Sequence, residues 1–306
     1  MKPSALAFDT SNYTTSCAVF DGEKGRNSGR LLDVPVGNLG LRQSDALFMH
    51  VRRLPSVFEA LGDLGDVIAV GASTKPRETE ESYMPCFLAG ESQAAILARA
   101  LGVPFFDFSH QQGHIAAAAW SGGRMDLLDK PHLAWHLSGG TTELLSVVPF
   151  GSAVRCEIVG GTSDVSAGQL VDRAGQLLGL PFPSGRALDA LAQTSDAARC
   201  FEPKIKGLTF SLSGVEHQMK QLSASGAPPA DIARFALLSV IAAIRRTTDE
   251  AVKKYGGLPV LFSGGVASNT LLRERLSGGI FAEPQYSVDN ALGVAILTYR
   301  AVGAHG

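Results

Sequence analysis

Cysteine, surplus charge and long apolar runs are all scarce in this chain of 306 residues. The four cysteines, Cys17, Cys86, Cys156 and Cys200, form no close pair. Their scatter excludes a zinc ribbon or a disulfide framework and fits reduced, buried thiols. Lys and Arg number 27 against 29 Asp and Glu, a balance of −2. No global field therefore draws the protein onto nucleic acid, and an RNA contact needs a local patch or a partner. No apolar run is long enough to span a bilayer, and Met1-Lys2-Pro3 passes directly into a strand pattern without a signal-peptide profile. No membrane association is expected, and the cytoplasm is the expected compartment. With 45% hydrophobic and 18% charged residues, the composition is that of a globular protein with chain enough for two packed domains.

The sharpest local signal is Ser109-His110-Gln111-Gln112-Gly113-His114, between the apolar run 103–108 and the stretch 115–120. It reads as a strand handing over to a helix capped by Ser109. Four residues apart, His110 and His114 share one helix face, where two imidazoles can grip one cation, and Gly113 adds no side chain to block a ligand. Zinc peptidases of the His-Glu-x-x-His class carry a glutamate base after the first histidine. Gln111 stands there instead, which disfavours that class. Without a third ligand the pair reads equally well as the polar start of a helix. Asp289, in Ser287-Val288-Asp289-Asn290 before an apolar helix over 291–302, is the candidate third ligand. A helix cap and a member of a His-His-Asp metal set are both open readings of it.

The chain also echoes itself. Residues 6–20 read as strand, small polar turn, strand, with a further strand over 30–34; residues 133–159 repeat that order. Aligned without a gap, Leu6 matches Leu133, Ala7 matches Ala134, Ser11 matches Ser138, Thr14 matches Thr141 and Thr15 matches Thr142. A repeat at about half the chain length points to duplicated domains rather than a solenoid. Small residues at such a turn, as in Leu137-Ser138-Gly139-Gly140-Thr141, leave backbone N–H groups open to a phosphate; a plain hairpin is the alternative. Helices are expected over 43–61, 87–101, 163–178 and 231–255, a strand over 67–71, a charged loop over 73–83 and an extended segment over 208–214. Asp172 lies on the polar side of the third helix, and Ser184-Gly185-Arg186 opens a short one that carries Asp189. The strand 258–262 stops at Ser263-Gly264-Gly265, shortly before Asn269 and a helix over 270–276, the usual geometry for a nucleotide at the carboxyl end of a sheet. Strands alternating with helices argue for α/β layers.

These segments, with Asp9-Thr10-Ser11, residues 167–173 and 178–181, and Phe210-Ser211-Leu212-Ser213-Gly214, resemble the TsaD-type tRNA N6-adenosine threonylcarbamoyltransferases, formerly called O-sialoglycoprotein endopeptidases or M22 glycoproteases. The resemblance runs almost end to end. It implies the α/β actin-like ATPase (ASKHA) fold of two duplicated domains with a cleft between them, here 1–130 and 131–306. It also implies one Fe2+ or Zn2+ on His110, His114 and Asp289, and ATP, ADP or threonylcarbamoyl-AMP near residues 137–141, Asp172, Gly185, Asp189, Gly264, Gly265 and Asn269. The implied reaction passes a threonylcarbamoyl group to N6 of adenosine 37 in tRNAs reading codons that begin with A. The implied partners are tRNA, a TsaB-like actin-fold subunit and a TsaE-like ATPase, with a homodimer as another assembly.

The chain departs from the family pattern at several positions. Gln112 and Gln169 replace glutamates, Thr141 replaces a histidine, Lys75-Pro76-Arg77-Glu78 replaces a glycine-proline loop, and residues 9–15 differ from the usual N-terminal motif. These changes touch polar groups expected to face phosphates or donor. They keep open a diverged nucleotide- and metal-binding paralogue with another acceptor or a regulatory role, and, further off, a metallopeptidase.

Overall fold

Pro3–Asp9 (β1) and Thr14–Phe20 (β2) show no alternation in burial and are buried along nearly their whole length, polar residues included, as strands covered on two faces must be. The computed structural model describes residues 2–11, 13–33, 41–79 and 82–305. Gly25–Leu31 (β3) follows, then Gln43–Glu59 (α1), Asp66–Lys75 (β4), Leu88–Leu101 (α2), Phe105–Ser109 (β5) and His110–Ser121 (α3). The first sheet has the order β3-β2-β1-β4-β5. β2 is antiparallel to β1 and β3, while β4 runs parallel to β1 and β5.

The later chain gives His132–Leu137 (β6), Thr142–Phe150 (β7), Ala153–Thr162 (β8), Ala167–Leu177 (α4) and Gly185–Ala192 (α5). It continues through Ile205–Lys206 (β9), Thr209–Phe210 (β10), Ser213–Ala224 (α6), Pro229–Lys254 (α7), Val260–Ser263 (β11), Thr270–Arg275 (α8), Ile280–Phe281 (β12) and Leu292–His305 (α9). The second sheet has the order β12-β11-β6-β7-β8-β10-β9. Read from the β8 side, β8-β7-β6-β11-β12 repeats β3-β2-β1-β4-β5. β6 pairs antiparallel with β7 and parallel with β11, as β1 does with β2 and β4. The duplication expected from the echo is thus a duplication of sheet topology, with β10 and β9 added at one edge.

Four local expectations differ. The third strand, expected over 30–34, begins at Gly25 and runs to Leu31, its polar, glycine-rich residues pairing with β2 and Leu32 N donating on to Tyr13 O; Val34 lies outside the described residues. β4 continues through Lys75, into the expected loop, since its polar end still pairs with β5. α4 starts at Ala167 rather than 163, because Asp164 turns the chain by accepting from the backbone N–H groups of Val165 and Leu212. Ser213 and Gly214, expected to be extended, open α6, whose Val215 and Met219 are buried four residues apart.

The residues divide into two units: 1–130 with 148–156 and 289–306, and 131–147 with 157–288. The boundary expected at 130/131 therefore needs correction for 148–156 and 289–306. The physical reason for the second stretch is burial: α9 is apolar all round, with Ala291, Leu292 and residues 294–297 fully buried, and it packs on β1, β4 and α3. Glycines make that packing close. A Cβ on Gly293 would stand 1.8 Å from the Gly113 carbonyl oxygen, and one on Gly113 would stand 3.0 Å from Val294 Cγ2. Gly113 therefore serves the approach of α9, not the access of a ligand as its position between the histidines suggested.

In the first unit Leu6, Phe8, Cys17, Val70 and Ala72 of the sheet pack with Leu54 and Val57 of α1 and Ala94 of α2. In the second, Trp135 is fully buried on β6 and its Nε1 donates to Thr248 Oγ1 at 2.9 Å. No helix among the described residues is long and apolar enough to cross a membrane. All four cysteines are free, and burial pushes the Cys17 and Cys156 thiols up to about 12, as inert thiols require.

Candidate metal centre and glycine-rimmed cavity

At the β5–α3 junction Ser109 and Gln112 form a capping box: Ser109 Oγ accepts from Gln112 N at 3.2 Å and Gln112 Oε1 accepts from Ser109 N at 2.8 Å. The Gln112 amide also donates to Val154 O at 2.7 Å, which a glutamate could not do. In the second unit Ser166 and Gln169 repeat the device, with Gln169 N to Ser166 Oγ at 3.1 Å and Ser166 N to Gln169 Oε1 at 3.3 Å. Both glutamine departures are thus N3 residues of capping boxes, a position that glutamine and glutamate both fill. Each side chain is engaged with the backbone around its own helix start, Gln112 with Val154 as well.

The capped helix presents His110 and His114 on one face, ring centroids 4.3 Å apart. Asp289 Oδ1 lies 3.5 Å from His110 Nε2 and 3.3 Å from His114 Nε2. One ligand atom from each of the three lies within 4.8 Å of the others, and among the described residues this is the one such group. Behind it, His110 Nδ1 is 2.7 Å from Asp9 Oδ2, while Asp9 Oδ1 accepts from Ser11 N at 2.9 Å. Asp9 is fully buried at the end of β1. Burial pushes its carboxyl up, but the adjacent His110 imidazole and the Ser11 bonds outweigh that and hold it below the usual range. Burial lowers His110, yet the Asp9 charge and the Asp289 bond prevail and raise it to about 10. Burial raises Asp289, and the two imidazoles hold it well below the usual carboxylate range.

The donor set fits a borderline cation. Two imidazole nitrogens and one carboxylate oxygen converge, with one histidine backed by a carboxylate that fixes its ring and tautomer. Asp9 was the residue that sequence reasoning missed as part of this site. Its signal was a lone carboxylate closing a buried strand, a group that must find a partner.

In the second unit a cavity of about 440 Å³ is lined by Gly139, Asp172, Gly185, Asp189, Gly265 and Asn269 together with Val171, Pro183, Leu237 and Val266. Asp172 accepts from Ser184 N at 2.8 Å, fixing the entry to α5. Asp189 Oδ2 accepts from Thr270 N at 2.9 Å, while its Oδ1 is buried with no partner among the described residues. Asn269 caps α8 through its Oδ1. Of the other residues expected here, Leu137 is buried at the end of β6, and Ser138 and Thr141 close the turn on each other through Ser138 N to Thr141 O and Thr141 N to Ser138 Oγ. Gly140 sits in that turn, and Gly264 packs against the Leu137 carbonyl. None of these five lines the cavity. Gly168, within the 167–173 segment, has no role legible in the sequence: a Cβ on it would lie 2.4 Å from Ser138 O and 2.5 Å from Gly139 Cα, so only glycine lets the first turn of α4 meet the 138–139 turn.

Comparison with known proteins identifies the family and the fold. Residues 83–296 match the family model described as TsaD: tRNA N6-adenosine threonylcarbamoyltransferase. The enzyme of that name from Thermus thermophilus is 34% identical over 263 residues, covering 82% of this chain and 77% of the relative. The one from Streptococcus pneumoniae is 31% identical over 297 residues, covering 90% and 83%. Full-length HypF in its phosphate- and nucleotide-bound form aligns with 98% of this chain and 46% of its own at a TM-score of 0.62 and 15% identity. ROK hexokinase from Thermus thermophilus aligns with 98% and 99% at 0.52 and 17%. These likenesses assign the actin-like ATPase fold to the duplicated sheets. The sequence matches place the chain in the tRNA N6-adenosine threonylcarbamoyltransferase family, TsaD type, a family of acyl-transferring enzymes.

Proposed function

We propose that this chain transfers the threonylcarbamoyl group of threonylcarbamoyl-AMP to N6 of adenosine 37 in tRNAs reading codons that begin with A. N6 attacks the carbamoyl carbon and loses a proton, and the bond to the phosphate oxygen breaks as AMP leaves. The observation that carries the reading is the convergence of His110, His114 and Asp289 with Asp9 behind His110. A bound Fe2+ or Zn2+ would supply Lewis-acid polarisation and a template for the donor. Asp9 holds the His110 ring so that Nε2 faces Asp289. The cavity of the second unit takes the nucleotide: its apolar walls suit a base, and the unpartnered Asp189 Oδ1 suits a ribose hydroxyl. The enzyme works in the cytoplasm with a TsaB-like subunit and a TsaE-like ATPase. The test is nucleoside mass spectrometry of unmodified tRNA incubated with donor and cognate partners. Threonylcarbamoyl-adenosine that forms with the wild type and vanishes with His110→Ala supports the reading. No product, where another family member succeeds, overturns it.

The second reading is a paralogue with another acceptor. It is favoured by the Lys75–Glu78 ion pair, which closes a turn unlike the family's glycine-proline loop. Binding of adenine nucleotide without tRNA modification would select it.

A further inference from the structure

The balanced charge of the chain means that any RNA contact rests on a few local cations, so the cations already engaged can be set aside. Arg53 binds Leu31 O and Asp33, Lys220 pairs with Glu216, and Arg52 lies over the Phe48 ring. A different situation holds on α7 and α8 in the second unit. There a cavity of about 230 Å³ is lined by Arg245, Arg246 and Arg275 above Leu238, Ile241 and Cys200. Arg246 is braced: Nη1 donates to Pro203 O at 3.1 Å and lies 3.6 Å from Glu202. Arg245 and Arg275 are exposed, and neither has a hydrogen bond or an ion pair to any described residue.

Three guanidinium groups around one concavity, opposed by a single carboxylate, repel one another until an anion enters. Arginine forks match phosphate oxygens two at a time, and Leu238 and Ile241 beneath them give a ribose an apolar surface to rest on. The size narrows the ligand. Cavities that enclose a whole small molecule run from about 300 to 1,000 Å³. A cavity of about 230 Å³ takes only part of a ligand, with the remainder outside. We propose that Arg245, Arg246 and Arg275 form a phosphodiester-binding site that grips the backbone of the tRNA substrate, with one ribose–phosphate unit seated in the cavity. The inference rests on the tRNA reading above and gives it a location outside the metal and nucleotide sites.

The test measures binding of unmodified tRNA by the full chain across a salt series, independently of modification. The variants are Arg245→Ala/Arg275→Ala, Arg245→Lys/Arg275→Lys and a Lys24→Ala/Lys253→Ala control that removes equal charge elsewhere. A lost charged hydrogen bond of about 1.5–3 kcal/mol corresponds to a tenfold or greater loss, so the alanine pair should bind at least about tenfold more weakly. Its salt slope should fall by roughly 0.7–0.9 for each phosphate contact removed. The lysine pair should keep most of the slope and lose affinity, and the control should change little. All variants should unfold at the wild-type urea midpoint, since neither arginine braces the fold. Unchanged tRNA affinity in the alanine pair, with threonylcarbamoyl-adenosine still formed, overturns this site and leaves the transferase reading intact. An equal loss in the control overturns it as non-specific charge. Wild type that binds inorganic phosphate or AMP here but no tRNA overturns the RNA assignment and the transferase reading together.

Discussion

Asp9 and His110 are joined by a 2.7 Å contact from carboxylate to Nδ1, although 101 residues separate them. Asp9 ends β1 and His110 begins α3 directly after β5, in the same sheet as β1 with β4 between. The sheet thus delivers a carboxylate behind one imidazole of the candidate metal cluster. Removing such an outer partner typically costs 10–100-fold in metal affinity. Asp9→Asn should therefore weaken Zn2+ binding, measured by calorimetry or competition with a chelator, by about that factor, whereas His110→Ala should abolish tight binding. Equal affinity in Asp9→Asn and wild type would show that the contact does not tune the site.

The same cluster sets a pH dependence. His110 is raised from 6.5 to about 10 in the folded, metal-free chain, so its stabilising contribution is complete below about 6.5 and disappears as pH rises through about 10. Asp9 and Asp289 are lowered from 3.8, so theirs is present above about 3.8 and is lost as pH falls through their folded values. Urea midpoints of metal-free protein should hold from about pH 4 to 6.5 and fall towards pH 10. A cation held by this cluster would compete with the His110 proton, so calorimetry in buffers of different ionisation enthalpy should register proton release at neutral pH.

The meeting of Gly113 and Gly293 positions Asp289 on the histidines. Gly293→Ala would put a methyl group 1.8 Å from a backbone oxygen, so α9 must move. Overpacking of this kind costs about 1–3 kcal/mol. The variant should melt lower and bind Zn2+ more weakly, while an alanine at the exposed, uncontacted Gly303 should leave metal affinity unchanged.

The two capping-box glutamines should respond differently to the glutamate usual in the family. Gln169 is exposed, so Gln169→Glu should be neutral or slightly stabilising at the start of α4. Gln112 is buried and donates to Val154 O, so Gln112→Glu leaves that carbonyl without its donor and buries a carboxylate. A loss of about 1–3 kcal/mol in urea unfolding is expected. Equal behaviour of the two variants would refute the distinction.

Much of this was legible in the chain, for physical reasons. The four-residue spacing of His110 and His114 fixed their common face, and the echo between 6–15 and 133–142 became the shared strand order of the two sheets. Asp289 read as cap or ligand because both uses begin a helix, and only tertiary packing at Gly293 brings it to the histidines. Asp9 was hidden because a pairing across 101 residues leaves no local pattern. β3 was misplaced because Gly25–Leu31 has no apolar alternation, and α6 was missed because its Ser213-Gly214 start resembles a turn.

The return of residues 289–306 to the first unit also orders events in time. During synthesis the two histidines and Asp9 emerge well before Asp289, so the three-residue cluster stays incomplete until much more of the chain has been made. A chain clipped ahead of Asp289 would carry only two of the three candidate ligands. The candidate cation site is therefore assembled late relative to its own histidines.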